Sequence, residues 1–214
     1  MLDWNRVLVV APHLDDEVLG CGGLLHRLGE RADVAFLCGR AYGGVQTEES
    51  TDAALKYAMN ARDILGYREI RFGGFHDERL NIADAASFLS ETLQELKPEC
   101  VLIPSAMDLH QDHATTARAA RIAARGLNVI SYYVPSGSEE VMSGSRSFTP
   151  NLFVRLSVAD VLAKQEAMVA YQDELRSYPH MRSSRGIDLA ANWFGTLSGF
   201  SLMAEPYMIE KVSW

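Results

Sequence analysis

The strongest constraint on this chain is a rhythm. Short apolar runs, RVLVVA (6–11), DVAFLC (33–38), EIRF (69–72) and CVLIPS (100–105), are each followed by a helix-like stretch, at 17–30, 48–65, 82–97 and 113–125. Two further runs, NVISYYV (128–134) and NLFVRL (151–156), precede a last helical stretch at 157–175. Strands that alternate with helices are joined by crossovers, and crossovers give a parallel sheet with helices lying over it. The expected fold is α/β: a single-domain, Rossmann-like, mostly parallel sheet with helices on both faces, formed by residues 1–214.

Several boundaries carry their own chemistry. Gly66 follows a helical run as a C′ residue would, Pro98 stops another, and Ser157 precedes one with Asp160 three residues on, close to a capping box. The glycine-, serine- and proline-rich stretch VPSGSEEVMSGSRSFTP (134–150) reads as an exposed loop, and no repeat or linker interrupts the pattern. With 214 residues, 48% of them hydrophobic and 22% charged, the chain is long enough to bury one core without staples. A formal charge of -8 argues against nucleic acid or an anionic membrane, since neutralising phosphates needs clustered Lys and Arg in excess. The expected partner is a small molecule. Cys21, Cys38 and Cys100 match no disulfide frame or CxxC metal knot and read as buried thiols. No apolar run approaches the roughly 20 residues that span a bilayer. The N-terminus MLDWNRVLVVAPH carries no signal-peptide cleavage site, so the expected location is cytoplasmic.

Sheets of this kind gather reactive groups at the carboxyl ends of their strands, most deeply where strand order reverses. The first strand runs into PHLDDEVLGCGG, which sets His13, Asp15, Asp16 and Glu17 side by side, and the fourth into PSAMDLHQDHATT (104–116). In the commonest doubly wound orders the first strand neighbours the third or the fourth across that reversal, so the two polar loops face each other. His110 and His113 are three apart near a helix start and can point toward one spot. Neutral imidazoles and carboxylates suit zinc, and a catalytic zinc takes three protein ligands and leaves a fourth position to water. Two histidines and one aspartate fill that description, and a second carboxylate takes a proton from water whose pKa the ion has lowered to about 7. Asp15 and Asp16 supply one carboxylate for each task. His110 is the candidate for a further imidazole that hydrogen-bonds an oxyanion or protonates a leaving amine.

At these residues the sequence resembles the PIG-L or LmbE-like zinc-dependent N-deacetylases, which remove acetyl groups from N-acetylglucosamine-type sugars on various aglycones. The family's [AP]HPDDE segment stands here as PHLDDEVLGCGG and its HxDH segment as HQDH. The likeness continues through LGY and FGGFHDERL (65–80) and through 164–199, so it covers most of the chain. The resemblance implies that His13, Asp16 and His113 ligate zinc, that Asp15 is the general base, and that His110 stabilises the oxyanion or acts as acid. Asp112, between the two histidines, is counted with the catalytic set as a group that orients a ring nitrogen. The resemblance also hints at a homo-oligomer. Three departures stand out. Leu14 replaces a proline, Lys56 and Tyr57 stand near the place of an Arg and Glu pair, and Asp173 and Glu174 replace a Ser-Gln. The last two touch specificity and leave the metal site alone.

Each motif has a plainer reading. A lone DDE run after a strand is usually a helix N-cap with acids that complement the dipole, and HQDH is what tips this one toward a metal. The glycines of GCGG lie inside the following helix, beyond an acidic loop that would repel a pyrophosphate, so close helix packing explains them better than a dinucleotide site. His26 and His76 read as surface or capping residues. Asp77 near the end of the third strand and Arg40 after the second are candidate substrate contacts, with an ordinary turn as the alternative for Asp77. The segment LRSYPHMRSSRGID (175–188) gathers Arg176, His180, Arg182 and Arg185 in an acidic protein. It reads as a pocket rim, with His180 and Arg182 as substrate contacts that could hold a phosphate or carboxylate, or else as a subunit interface.

The expected function is zinc-dependent hydrolysis of the N-acetyl group of an N-acetylated amino sugar, free or conjugated. The alternatives are an amidase for another small amide or thiol-sugar conjugate, and a non-catalytic sugar-binding relative, which would have no use for Asp15.

Overall fold

The computed structural model describes residues 4–39, 41–42, 45–135, 148–199 and 202–213. In chain order its elements begin with β1 (Val7–Ala11), α1 (Asp16–Leu28), β2 (Ala32–Cys38), a two-stranded ribbon of β3 (Ala41–Tyr42) and β4 (Val45–Gln46), and α2 (Glu48–Leu65). They continue with β5 (Glu69–Phe75), α3 (Ile82–Leu96), β6 (Cys100–Pro104), α4 (Gln111–Ala123), β7 (Asn128–Tyr132), β8 (Leu152–Arg155), α5 (Val158–Ala170), α6 (Ser184–Leu197) and β9 (Ala204–Lys211). The main sheet has the order β5-β2-β1-β6-β7-β9-β8. Strands β5, β2, β1, β6 and β7 pair in parallel, and β9 runs antiparallel to both β7 and β8.

The apolar runs are continuous because the central strands are covered twice. Val7, Val9 and Ala11 pack on one face with residues of α1, α2 and α5, whereas Leu8 and Val10 pack on the other with residues of α3 and α4. Strand order reverses at β1, which has β2 on one side and β6 on the other. Of the two neighbours allowed for the first strand, the fourth of the parallel set is the one found.

Local signals act as read. Gly66 closes α2 with φ 76°, and Ser157 and Asp160 form a reciprocal capping box at the start of α5. The three cysteines are buried and free. Glycine in α1 reflects close packing: a Cβ on Gly20 would lie 2.3 Å from Cδ2 of Tyr132, and one on Gly23 2.7 Å from Leu156.

Three features differ from the rhythm. The last expected helix, 157–175, stops at Ala170, and a 3-10 turn, Gln172–Glu174, follows. The helix α6 and strand β9 were not expected. Gly186 and Gly195 dilute the helical pattern of α6, yet both sit where backbone comes within 2.6 Å of a Cβ position. Pro206 and the alternation of β9 hide a strand that is buried only over its first half. Of the segment 134–150, residues 136–147 lie outside the described residues, and Val134 and Phe148 at its ends are buried.

Candidate active site

The carboxyl ends of β1 and β6 are adjacent, so the loop 12–15 and the loop 105–110 open on the same side of the sheet. The cluster forms there. Asp16 begins α1 and turns back on its own loop: its Oδ2 accepts the His13 amide at 3.0 Å and stands 3.2 Å from His13 Nδ1. His113, in the first turn of α4, brings Nε2 to 3.2 Å from the same Asp16 oxygen and 3.3 Å from His13 Nδ1. The three atoms make a nearly equilateral triangle. A tetrahedral zinc with bonds of ~2.0 Å has ligand-to-ligand edges of about 3.3 Å, so the donors fit such an ion in kind and spacing.

The far nitrogens are engaged by carboxylates. His113 Nδ1 lies 2.8 Å from Asp108 Oδ2, whose other oxygen accepts the His110 amide at 2.9 Å. His13 Nε2 faces Asp112 Oδ2 at 3.3 Å and Asp77 Oδ1 at 3.1 Å. Asp112 is held in turn by the Glu78 amide at 2.7 Å, and the Asp77 amide donates to Gln46 Oε1 at 2.9 Å. Thus β5 delivers its following turn to the cluster. His110 is the N-cap of α4, and its Nδ1 accepts the Asp112 amide at 3.2 Å. A neutral ring that accepts at Nδ1 carries its proton on Nε2, which makes that nitrogen a donor. Its ring centre lies 4.8 Å from that of His13 and 4.9 Å from that of His113.

Asp15 precedes α1 with φ 126°, a conformation an L residue adopts at a cost of about 1–3 kcal/mol. Its carbonyl accepts the Val18 and Leu19 amides, so the helix begins on it. Its carboxylate is buried, with Oδ2 3.0 Å from Arg182 Nε, and Arg182 also donates to Glu174 Oε2 at 3.0 Å. Arg182 therefore reaches the cluster from the 175–188 segment. His180 is exposed and its Nδ1 accepts the Arg182 amide within its own turn. Arg40 lies outside the described residues. Arg176 donates to backbone carbonyls and Arg185 stacks on Tyr178. His26 pairs with Asp160 at 2.8 Å.

The electrostatics follow from burial and charge. Burial, aided by Asp16, pushes the Asp15 carboxyl up to about 7 against the pull of Arg182. Burial would also raise Asp16, but His113 and His13 outweigh it and hold that carboxyl well below the usual range. Burial disfavours charge on His113, yet Asp16 and Asp108 raise it to about 9, and contacts with Asp112, Asp16 and Asp77 raise His13 likewise. His110 is lowered by burial and by the other two imidazoles. Positive charge is favoured at the triangle and disfavoured at His110. Two wider groupings, His13 with His110 and His113 and His13 with Cys38 and Asp112, also have donor atoms within 4.8 Å.

Sequence reasoning missed Asp108 and the partnership of Glu17 with Tyr171, and it marked Glu174 as a departure touching specificity without its pairing with Arg182. Asp108 lies in the quoted loop but nothing in its spacing marks it. At the positions that depart from the family pattern, the Tyr57 hydroxyl donates to Asp173 at 3.3 Å, so the two departures meet in space.

A family model described as GlcNAc-PI de-N-acetylase (PIG-L) matches residues 8–124. A probable N-acetyl-alpha-D-glucosaminyl L-malate deacetylase 2 of Bacillus cereus is 29% identical over 129 residues, which cover 54% of this chain and 59% of that relative's length. Among solved structures, the conserved protein TT1542 from Thermus thermophilus is 26% identical with a TM-score of 0.77, over 98% of this chain and 96% of that one. The N,N'-diacetylchitobiose deacetylase from Pyrococcus horikoshii is similar in fold, with a TM-score of 0.79 at 19% identity over 97% of this chain and 84% of its own.

Proposed function

The chain belongs to the PIG-L family, and from that premise we propose that it is a metal-dependent N-deacetylase acting on an N-acetylated amino sugar or its conjugate, a small molecule met in the cytoplasm. The observation that carries this reading is the triangle of His13 Nδ1, Asp16 Oδ2 and His113 Nε2 with the buried Asp15 carboxyl beside it. Those three residues would hold the ion, and zinc suits their donors best. A bound divalent ion supplies Lewis acidity, which lowers the pKa of water and polarises an acyl oxygen.

The rest is done by this chain. Asp15 takes the proton of the water that attacks the acetyl carbon, and a carboxyl raised to about 7 is matched to that task near neutral pH. His110 donates its Nε2 proton in a hydrogen bond to the oxyanion, a role suited to an imidazole that stays neutral. The C–N bond then breaks, the amine takes up the proton, and acetate and the free amino sugar leave. Asp108 and Asp112 orient His113 and His13. Asp77 beside His13 and Arg182 beside Asp15, both partly exposed, are the candidate contacts for sugar hydroxyls. Arg182 already shares its charge between Asp15 and Glu174, which favours an uncharged sugar there over a phosphate.

The test is acetate release from free, phosphorylated, nucleotide-linked and aglycone-linked N-acetylglucosamine, by metal-stripped protein with and without added zinc. Zinc-dependent release is expected, with Asp15→Ala slower by about 10²- to 10⁴-fold while binding zinc normally. Stoichiometric zinc binding with no acetate from any of these compounds overturns the reading.

A further inference from the structure

Asp15 is held at its backbone by Glu17, two residues on, and at its side chain by Arg182, and one distant stretch of chain supplies both Arg182 and the partner of Glu17. Its amide donates to Glu17 Oε2 at 3.2 Å, and the Tyr171 hydroxyl stands 2.6 Å from the other oxygen, Oε1. Glu17 and Tyr171 are both fully buried. Tyr171 caps α5 immediately before Gln172–Glu174, and Glu174 pairs with Arg182, whose Nε stands 3.0 Å from Asp15 Oδ2. An acid whose task is to complement a helix dipole works from the surface, in contact with water. Glu17 instead sits in the interior, where an unbonded polar group is costly, with one oxygen on the Asp15 amide and the other on Tyr171. The peptide it grips is the one forced to φ 126°. A non-glycine residue persists in that region only where its surroundings over-determine it, and such strain gathers where a side chain must be aimed.

We propose that Glu17, braced by Tyr171, is a positioning residue for Asp15: it fixes the left-handed peptide that presents the Asp15 carboxylate to the attacking water. Glu17 touches neither ion nor sugar. The inference rests on the reading of Asp15 as general base, and its test separates the two.

Three variants divide the possibilities. Glu17→Gln keeps a carbonyl oxygen for the Asp15 amide and gives Tyr171 an N–H, Glu17→Leu keeps the bulk without the acceptor, and Tyr171→Phe removes the brace alone. Glu17→Gln is expected within about threefold of wild-type kcat, whereas Glu17→Leu loses kcat by about 10²-fold with KM and bound zinc unchanged, as for a misplaced catalytic group. Hydrogen exchange at the Asp15 amide, followed by NMR, is read beside kcat. Protection is expected in the wild type and in Glu17→Gln, and its loss in Glu17→Leu. If Glu17→Leu does not fold, Tyr171→Phe decides, with weakened protection and lower kcat expected. Unchanged protection in the deciding variant, or lost protection with unchanged kcat, overturns the proposal. If the wild-type protein releases no acetate, it is the deacetylase reading that fails, and exchange at Asp15 alone then decides whether Glu17 fixes the peptide.

Discussion

Each imidazole of the triangle has two nitrogens with separate tasks. One points inward and the other is held by a carboxylate, which fixes the ring and raises its basicity. Asp108 does this alone for His113 and also accepts the His110 amide, whereas His13 has both Asp112 and Asp77 on its far side. The two cases should therefore differ. Asp108→Ala is expected to weaken zinc binding by about 10- to 100-fold in a chelator competition, and Asp77→Ala, which leaves Asp112 in place, by only a few fold. Equal effects would refute this division of labour. Spacing alone brought the histidines and the Asp15–Asp16 pair to two strand ends, and the choice of His13, Asp16 and His113 among them came from the resemblance to the family. Asp108 was not legible, since its reach to His113 depends on a turn in which its amide bonds the Ser105 carbonyl at 3.2 Å. Nor was the partner of Arg182: the sequence marks a basic segment near the pocket, but the carboxylate it meets belongs to the first loop of the chain.

Among the elements, α1 carries the largest constraint, because it presents Asp16 while lying against β7 and α5. Gly20 is where it touches Tyr132, a fully buried ring whose hydroxyl is anchored on the Val10 carbonyl at 2.8 Å. Alanine inside a helix ordinarily gains about 1 kcal/mol over glycine. A Cβ 2.3 Å from that pinned ring costs more, since overpacking a core site costs about 1–3 kcal/mol. The net loss is up to about 2 kcal/mol, so Gly20→Ala should lower the melting temperature by up to about 8 °C, at roughly 2–4 °C per kcal/mol for a chain of this size. A rise would show that α1 has room to move. Apart from the two-residue strands β3 and β4, the strand and helix alternation was readable up to α5 because its strands are short apolar runs and most of its helices carry a cap or stop signal. The last two elements were not, for opposite reasons. The α6 helix uses glycines to admit neighbouring backbone, and β9 reverses direction to pair with β7 and β8, so neither a crossover nor a continuous apolar run announces it.

For the whole molecule, the buried charges tie stability to protons. Asp15 at about 7, Glu17 at about 8 and His113 at about 9 all hold protons in the folded state that an unfolded chain would release at lower pH. Folding then takes up protons, and stability falls as pH rises wherever the folded state binds more of them. The carboxyl groups erode it from about pH 4 upward, and the His113 contribution, complete below its ordinary value of 6.5, is lost as pH climbs through about 9. Asp16 acts in the opposite sense, but its contribution is already complete above its ordinary value of 3.8. The metal-stripped protein should therefore melt at progressively lower temperature from about pH 6 to about pH 8.5. Zinc requires neutral imidazoles, so it competes with protons at His13 and His113 and binds more tightly as they leave. At 100 times its dissociation constant a ligand adds about 2.7 kcal/mol, here roughly 5–10 °C. At a fixed low zinc concentration, the gap between loaded and stripped melting temperatures should widen over the same pH range. A gap that stays constant would mean that zinc and protons do not share these sites, and a gap that narrows would place the ion on groups other than the histidines.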